Sequence, residues 1–133
     1  MGFVIDTSVF IRAEREGGVL DPNDWPDRGT PFISAMTVSE LMVGVHRANT
    51  EPRRLRRQTF INDVLNSVVV LAIDAEIAKV HARLVADVLG QGTPVGTEDL
   101  LIAATALHFG FPIFTANPKD FEKVAGLEVI EFN

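Results

Sequence analysis

No cysteine occurs among the 133 residues, which excludes disulfides, thiolate metal sites and a Cys nucleophile and suits a reducing compartment. Long apolar runs are missing as well. The longest covers residues 68–73, far short of the roughly 20 residues that span a bilayer. No leader pattern of basic, apolar and small residues opens the chain, so a soluble, cytoplasmic protein without membrane contact is expected. Catalytic signatures are sparse too. His46, His81 and His108 lack the H-E-x-x-H spacing of a zinc protease, no serine sits in a G-x-S-x-G elbow, and the glycine-rich segment 90–96 follows a helix and has no G-K-[ST]. That segment is expected to be a plain loop, and the histidines to be surface or packing residues, with His46 close enough to the arginines to touch a substrate.

A net positive charge is also absent. The chain carries −6, which argues against indiscriminate nucleic-acid binding, since that is driven by neutralising phosphates. The charge is unevenly spread, however. Residues 47–57 hold Arg47, Arg53, Arg54, Arg56 and Arg57 against Glu51, a local +4, which leaves −10 on the remainder. Such polarity fits a basic patch beside an acidic pocket, and equally a solvated arginine-rich helix face.

What is present is a set of acids at the ends of apolar segments. Asp6 closes Phe3-Val4-Ile5, Glu40 lies in Thr37-Val38-Ser39-Glu40-Leu41, and Asp99 opens the apolar stretch 100–107. A carboxylate after a buried strand stands at the strand's carboxyl end, where open α/β sheets bind ligands. Two such charges about 4 Å apart repel by about 4 kcal/mol at an effective dielectric near 20, so a cation would stabilise the group. With no thiolate or imidazole spacing, the donors are all oxygen, which suits Mg²⁺ or Mn²⁺ rather than zinc.

At 47% hydrophobic, the chain is long enough to bury one real core and is expected to form a single domain over residues 1–133. A buried strand at 2–6 leads into a helix from Thr7-Ser8, read as its cap, to about Glu16. A Gly/Pro/Asp/Asn-rich loop follows to Pro31, with Trp25 as its anchor. Residues 32–34 read as a strand, and 37–48 as a helix whose stripe is Val38, Leu41, Met42 and Val45, with Glu40 off it. Pro52 starts a helix with the arginines on one side and Leu55, Phe60, Ile61, Val64 and Leu65 on the other. Residues 68–71 form a strand, and Asp74 caps a helix to about Leu89 that turns Ile77, Val80, Leu84, Val85 and Val88 inward. Thr97 caps a helix over 98–109, apolar nearly all round and therefore buried by other helices or a second subunit. A strand at 113–114, a short helix from Asn117-Pro118 and a strand at 128–131 complete the chain. Alternating strands and helices predict a mainly parallel sheet of five strands covered on both faces, a three-layer α/β/α sandwich.

Each acid also has a plain explanation. Asp6 can cap the helix behind it, Glu98 and Asp99 favour the positive end of a helix dipole, and a helical Glu40 is ordinarily exposed. Asn117 with Asp120 three residues on reads as a capping box, although Asn117 also lies just past a strand end, within reach of the pocket.

The pieces in order are Val4-Ile5-Asp6-Thr7-Ser8, Ile33-Ser34 through Glu40-Leu41 with Gly44, Gly96 with Asp99-Leu100-Leu101-Ile102-Ala103-Ala104-Thr105-Ala106-Leu107, and Thr115-Ala116-Asn117 with Asp120-Phe121 and Gly126-Leu127. Over essentially the whole chain this resembles a PIN-domain ribonuclease, most closely the VapC toxins of toxin-antitoxin pairs. The resemblance implies sheet order 3-2-1-4-5 and an endoribonuclease dependent on Mg²⁺ or Mn²⁺. Its metal-binding triad would be Asp6, Glu40 and Asp99, with Asn117 or Asp120 in a fourth position. Glu98, Ser8 and Thr115 would assist, and Arg47, Arg53, Arg54 and Arg57 would steer RNA. A VapB-type antitoxin and a second copy of the chain are the implied partners. Two alternatives remain: a PIN-like nucleic-acid or protein binding module without catalysis, and a haloacid-dehalogenase-like phosphatase, whose D-x-D-x-T pattern the segment Asp6-Thr7-Ser8-Val9-Phe10 does not match.

Overall fold

The computed structural model describes residues 1–92 and 95–133; Thr93 and Pro94, inside the loop expected over 90–96, lie outside the described residues. Five strands alternate with helices: β1 (Gly2–Ile5), α1 (Thr7–Arg15), β2 (Thr30–Ser34), α2 (Ala35–His46), α3 (Glu51–Ser67), β3 (Val69–Leu71), α4 (Ala75–Gln91), α5 (Thr97–Phe109), β4 (Ile113–Thr115), α6 (Pro118–Glu122) and β5 (Val129–Glu131). All neighbouring strands are parallel, in the order β3-β2-β1-β4-β5. Both the class and the strand order agree with expectation.

The central strand explains the layers. A strand buried on both faces must be apolar throughout, and every residue of β1 is buried. Its side chains alternate, so Phe3 and Ile5 enter one core with Val9 and Phe10 of α1, Leu41 and Val45 of α2, and Phe60, Ile61 and Val64 of α3. Val4 points the other way, into Ile77, Leu84 and Val88 of α4 and Leu100, Ile102, Ala103 and Ala106 of α5. β4 repeats the alternation, Ile113 on the second side and Phe114 on the first. Full burial of each Val, Ile or Phe contributes roughly 1.5–3 kcal/mol. The two cores thus fix the register of β1, and with it the position at which Asp6 emerges.

Several local expectations differ from what forms. Thr7 and Ser8 do not cap α1; Asp6 occupies that position, without a side-chain cap bond, because both hydroxyls have partners elsewhere. The second helix begins at Ala35 rather than Thr37, since Ser34 accepts the Met36 N–H at 3.1 Å and so starts it two residues earlier. Thr97 is the first residue of α5 and not its cap; its hydroxyl and carbonyl lie 3.3 and 3.1 Å from His81 Nε2. Leu55 and Leu65 of α3 are exposed, so the buried face of that helix is narrower than its apolar stripe. Residues 90 and 91 continue α4, which closes at Gly92 with φ 68°, a left-handed turn that favours glycine. Asp74 caps α4 as expected, accepting the Ile77 N–H at 2.9 Å. Trp25 holds its loop by an edge-on contact with Phe3, ring centroids 6.4 Å apart. Within the chain, α4 and the sheet bury α5, whose Ala103, Ala104 and Ala106 are fully covered.

Candidate active site

In a parallel sheet the carboxyl ends of all strands lie on one edge, and connections leaving two neighbours in opposite directions open a crevice there. Here the neighbours are β1 and β4. The first continues into α1 toward β2, the second into α6 toward β5. Asp6 follows β1 directly, with its N–H bonded to the Phe114 carbonyl at 2.8 Å, so the backbone ladder itself carries it to the crevice.

Asp6 is buried to 3% exposure. Its Oδ2 accepts two hydroxyl bonds, from Ser8 Oγ at 2.6 Å and from Thr115 Oγ1 at 2.8 Å. Each hydroxyl in turn accepts a backbone N–H, Ser8 from Ala116 at 3.0 Å and Thr115 from Asn117 at 2.9 Å. Both hydroxyl protons are therefore committed to Asp6, and the 3.2 Å approach of Ser8 to Thr115 is a contact between two donors serving one acceptor. Burial pushes the Asp6 carboxyl above its ordinary range; the Ser8 and Thr115 bonds oppose this without overcoming it. Both side-chain bonds fall on Oδ2, and the backbone N–H groups of Ser8 and Thr7 also lower the carboxyl's pKa.

Glu40 comes from α2, half-buried rather than on the solvent side. Its Oε1 accepts the Thr7 hydroxyl at 2.8 Å, and Thr7 in turn touches the Thr37 hydroxyl at 2.9 Å. Desolvation raises its pKa, Thr7 lowers it, and the charges of Asp6 and Glu98 raise it further. Asp99, in the first turn of α5, is pushed up to about 6, by desolvation first and then by the negative charges of Asp6, Glu40, Asp120 and Glu98. Five carboxylates drawn from α2, α5, α6 and the end of β1 thus share one electrostatic neighbourhood. They have not closed on a point: among the described residues, no three Asp, Glu or His side chains form a ready coordination shell.

The remaining expected residues separate. Asn117 is exposed at the head of α6 and makes no side-chain cap bond, so it forms no capping box with Asp120. Asp120, half-buried, adds negative charge at Asp99. Glu98 is exposed beside Asp99. The arginines lie on and before α3. Arg53 donates to Asn49 Oδ1 at 2.9 Å, Arg54 pairs with Glu51, and Arg57 donates to the Gly44 carbonyl at 2.7 Å while pairing with Glu14 at 3.3 Å. Arg47 is exposed at the end of α2. A cleft of about 230 Å³ joins the two regions, bordered by Glu40, Leu41, Gly44, Arg15 and Arg57. His46 and His108 are exposed, and no histidine faces the acids closely enough to perturb them. Ser8 stands where the phosphatase pattern requires a second Asp, and its hydroxyl serves Asp6 instead.

Sequence reasoning missed Thr7, Thr37 and Arg12. Arg12 donates to the Phe132 carbonyl at 2.9 Å and to the Ala116 carbonyl at 3.5 Å, with its guanidinium 5.3 Å from the Phe132 ring centroid, and so ties the segment after β4 to α1. Its only signal was an arginine one turn beyond Ser8 on a short amphipathic helix.

Comparison with known proteins fits this geometry. The PIN-domain family model matches residues 3–127. Ribonuclease VapC1 of Rickettsia felis is 38% identical over 130 residues, covering 98% of this chain and 96% of that protein. The tRNA(fMet)-specific endonuclease VapC of Shigella flexneri is 32% identical over 133 residues, with 98% of each chain covered. Among solved structures, VapBC-5 of Mycobacterium tuberculosis, a member of the VapBC family of toxin-antitoxin systems, superposes with a TM-score of 0.78 at 33% identity over 98% of each chain. A family model spanning nearly every residue, together with relatives alike from end to end, means that this chain belongs to the PIN-domain family, in its VapC group.

Proposed function

We propose that the chain is an endoribonuclease that hydrolyses RNA phosphodiester bonds with Mg²⁺ or Mn²⁺, serving as the toxin of a VapBC-type pair. The observation that carries this reading is the cluster of Asp6, Glu40 and Asp99. All three carboxyls are raised above their ordinary range, and the side-chain hydrogen bonds to Asp6 and Glu40 each fall on one oxygen. Relatives named as a ribonuclease and as a tRNA-specific endonuclease supply the substrate class. The donor set fits a hard divalent ion, being all oxygen and mutually repulsive without one.

Asp6, Glu40 and Asp99 would hold the ion, which when bound supplies an activated water and neutralises charge on the scissile phosphate. The chain's own part is orientation. Ser8 and Thr115 fix Asp6 through Oδ2, and Thr7 does the same for Glu40 through Oε1. With the Thr115 proton committed to Asp6, Asn117, exposed just beyond β4, is the better candidate to contact the phosphate. Arg47, Arg53, Arg54 and Arg57 would attract the RNA backbone along the cleft toward Glu40.

A VapB-type antitoxin is the expected protein partner, on the precedent of the VapBC pairs that this chain resembles, and a homodimer the expected free state. Incubating the purified protein with a mixed RNA pool, with and without Mg²⁺ and beside Asp99→Asn, tests the reading. Metal-dependent cutting lost in the variant supports it. Cutting that persists in chelator, or none under any condition, rejects it.

A further inference from the structure

Thr37 lies in the first turn of α2 with no exposed surface. Its hydroxyl contacts only the Thr7 hydroxyl at 2.9 Å, and Thr7, itself buried to 4% exposure, reaches Glu40 Oε1 at 2.8 Å. Burying a hydroxyl in an apolar setting is unfavourable unless it is hydrogen-bonded, so the Thr7 contact is what keeps Thr37 satisfied. Mid-helix threonines bond the carbonyl four residues back, as Thr59 and Thr105 do here with Leu55 and Leu101; Thr7 and Thr37, in the first turns of α1 and α2, have no helical carbonyl there. Thr7 and Thr37 instead point sideways, from one helix to the other.

The direction of the chain of bonds follows from proton count. Thr7 Oγ1 is placed as donor toward both Glu40 Oε1 and Thr37 Oγ1. It has one proton and an ionised carboxylate can only accept, so that proton is assigned to Glu40 and the 2.9 Å contact is completed by the Thr37 proton. We infer that Thr37, Thr7 and Glu40 form a directed hydrogen-bond relay in which the two threonines are positioning residues. They hold Oε1 of Glu40 so that Oε2 is presented to a divalent cation. Asp6 is held by the same device from a different pair, Ser8 and Thr115. Since Thr7 is the next residue after Asp6, the start of α1 sets both carboxylates at once. This inference rests on the reading of Asp6, Glu40 and Asp99 as a cation site.

The test is Mn²⁺ affinity, measured calorimetrically on the full chain without RNA, for the wild type, Thr7→Val, Thr7→Ser, Thr37→Val and Glu40→Gln, and for Thr7→Val combined with Glu40→Gln. Removing a residue that orients a ligand weakens metal binding about 10- to 100-fold. Thr7→Val is expected to weaken binding at least about 10-fold. Thr7→Ser keeps the hydroxyl and should recover most of that affinity. Thr37→Val, one bond further away, should give a smaller loss. In the Glu40→Gln background Thr7→Val should add nothing, because the relay then has no carboxylate to act through. Circular dichroism of each variant verifies folding, and Thr7→Ser carries the comparison if Thr7→Val unfolds: a serine variant that folds and yet binds as weakly as Glu40→Gln overturns the relay. Equal Mn²⁺ affinity in wild type and Thr7→Val, or a full additive loss in the double variant, overturns it as well. Absence of Mn²⁺ binding by the wild type rejects the cation site and the relay together.

Discussion

The acid crevice and the arginine face of α3 are both dense in charge, yet the fold treats them in opposite ways. At the crevice the carboxylates are buried or half-buried, and all three raised groups owe their shift first to desolvation. Among the described residues no cation is paired with them; the ion pairs Arg28–Glu128, Arg54–Glu51, Arg57–Glu14 and Lys79–Glu76 lie elsewhere. On α3 the charges are more solvated, and their pairs are with single partners at the surface: Arg54 with Glu51 one turn away, and Arg57 with Glu14 of α1. Exposed pairs of that kind contribute little. Unpaired buried charge is destabilising and persists where something outside the chain completes it. The difference separates a site from a surface better than charge density does.

Substitutions on the two sides should therefore behave differently. The largest effect is expected from Asp6→Asn, which keeps the shape and the hydroxyl bonds while removing the charge. It should reduce RNA cleavage below detection with the far-UV circular dichroism unchanged, and should raise the melting temperature of the metal-free protein, since a disfavoured buried charge is gone. A lower melting temperature would mean that Asp6 stabilises the fold rather than the site.

Next in size is the response to metal. Mn²⁺ at about 100 times its dissociation constant should add roughly 2.7 kcal/mol to the folded state. A thermal melt with excess Mn²⁺ measures it, and an unchanged midpoint counts against an assembled site.

The pH dependence of the metal-free protein is a smaller effect with a definite sign. Asp99 moves from 3.8 to about 6 on folding, and Asp6 and Glu40 are raised in the same direction. A raised folded pKa contributes stability in full below the unfolded pKa and loses it as the pH rises through the folded one. The wild-type melting temperature, compared with that of Asp99→Asn, should fall between about pH 4 and about pH 6.5, and Mn²⁺ should remove the fall. Identical pH profiles in wild type and variant would contradict this. The smallest effect is expected on α3. Arg54→Ala should leave the melting temperature unchanged and, if RNA follows the arginines, lower the salt slope of binding by about one counterion.

The central strand was legible because burial on two faces demands an unbroken apolar run, Phe3-Val4-Ile5, and two helix starts because Asp74 and Pro52 mark them by local chemistry. Local chemistry misled at Thr7, Ser8 and Thr97. A threonine or serine at a helix start is normally its cap, yet Ser8 turns back to Asp6 two residues away, while the Thr7–Glu40 bond spans 33 positions of sequence and the Thr97–His81 contact 16. Only the tertiary fold brings the partners of Thr7 and Thr97 near. Leu55 and Leu65 misled for a related reason, since a periodic stripe tells which face is apolar and not how much of it the neighbours cover. Asp120 over Asn117 as the source of charge near Asp99 likewise depends on how α6 is set against α5.

Calorimetric titration of Mn²⁺ into the wild type and into Asp6→Asn tests the central claim most directly, that carboxylates brought to the β1–β4 crevice form a cation site. The wild type should give a saturable isotherm that Asp6→Asn abolishes while remaining folded. Equal binding by the two proteins would contradict the account.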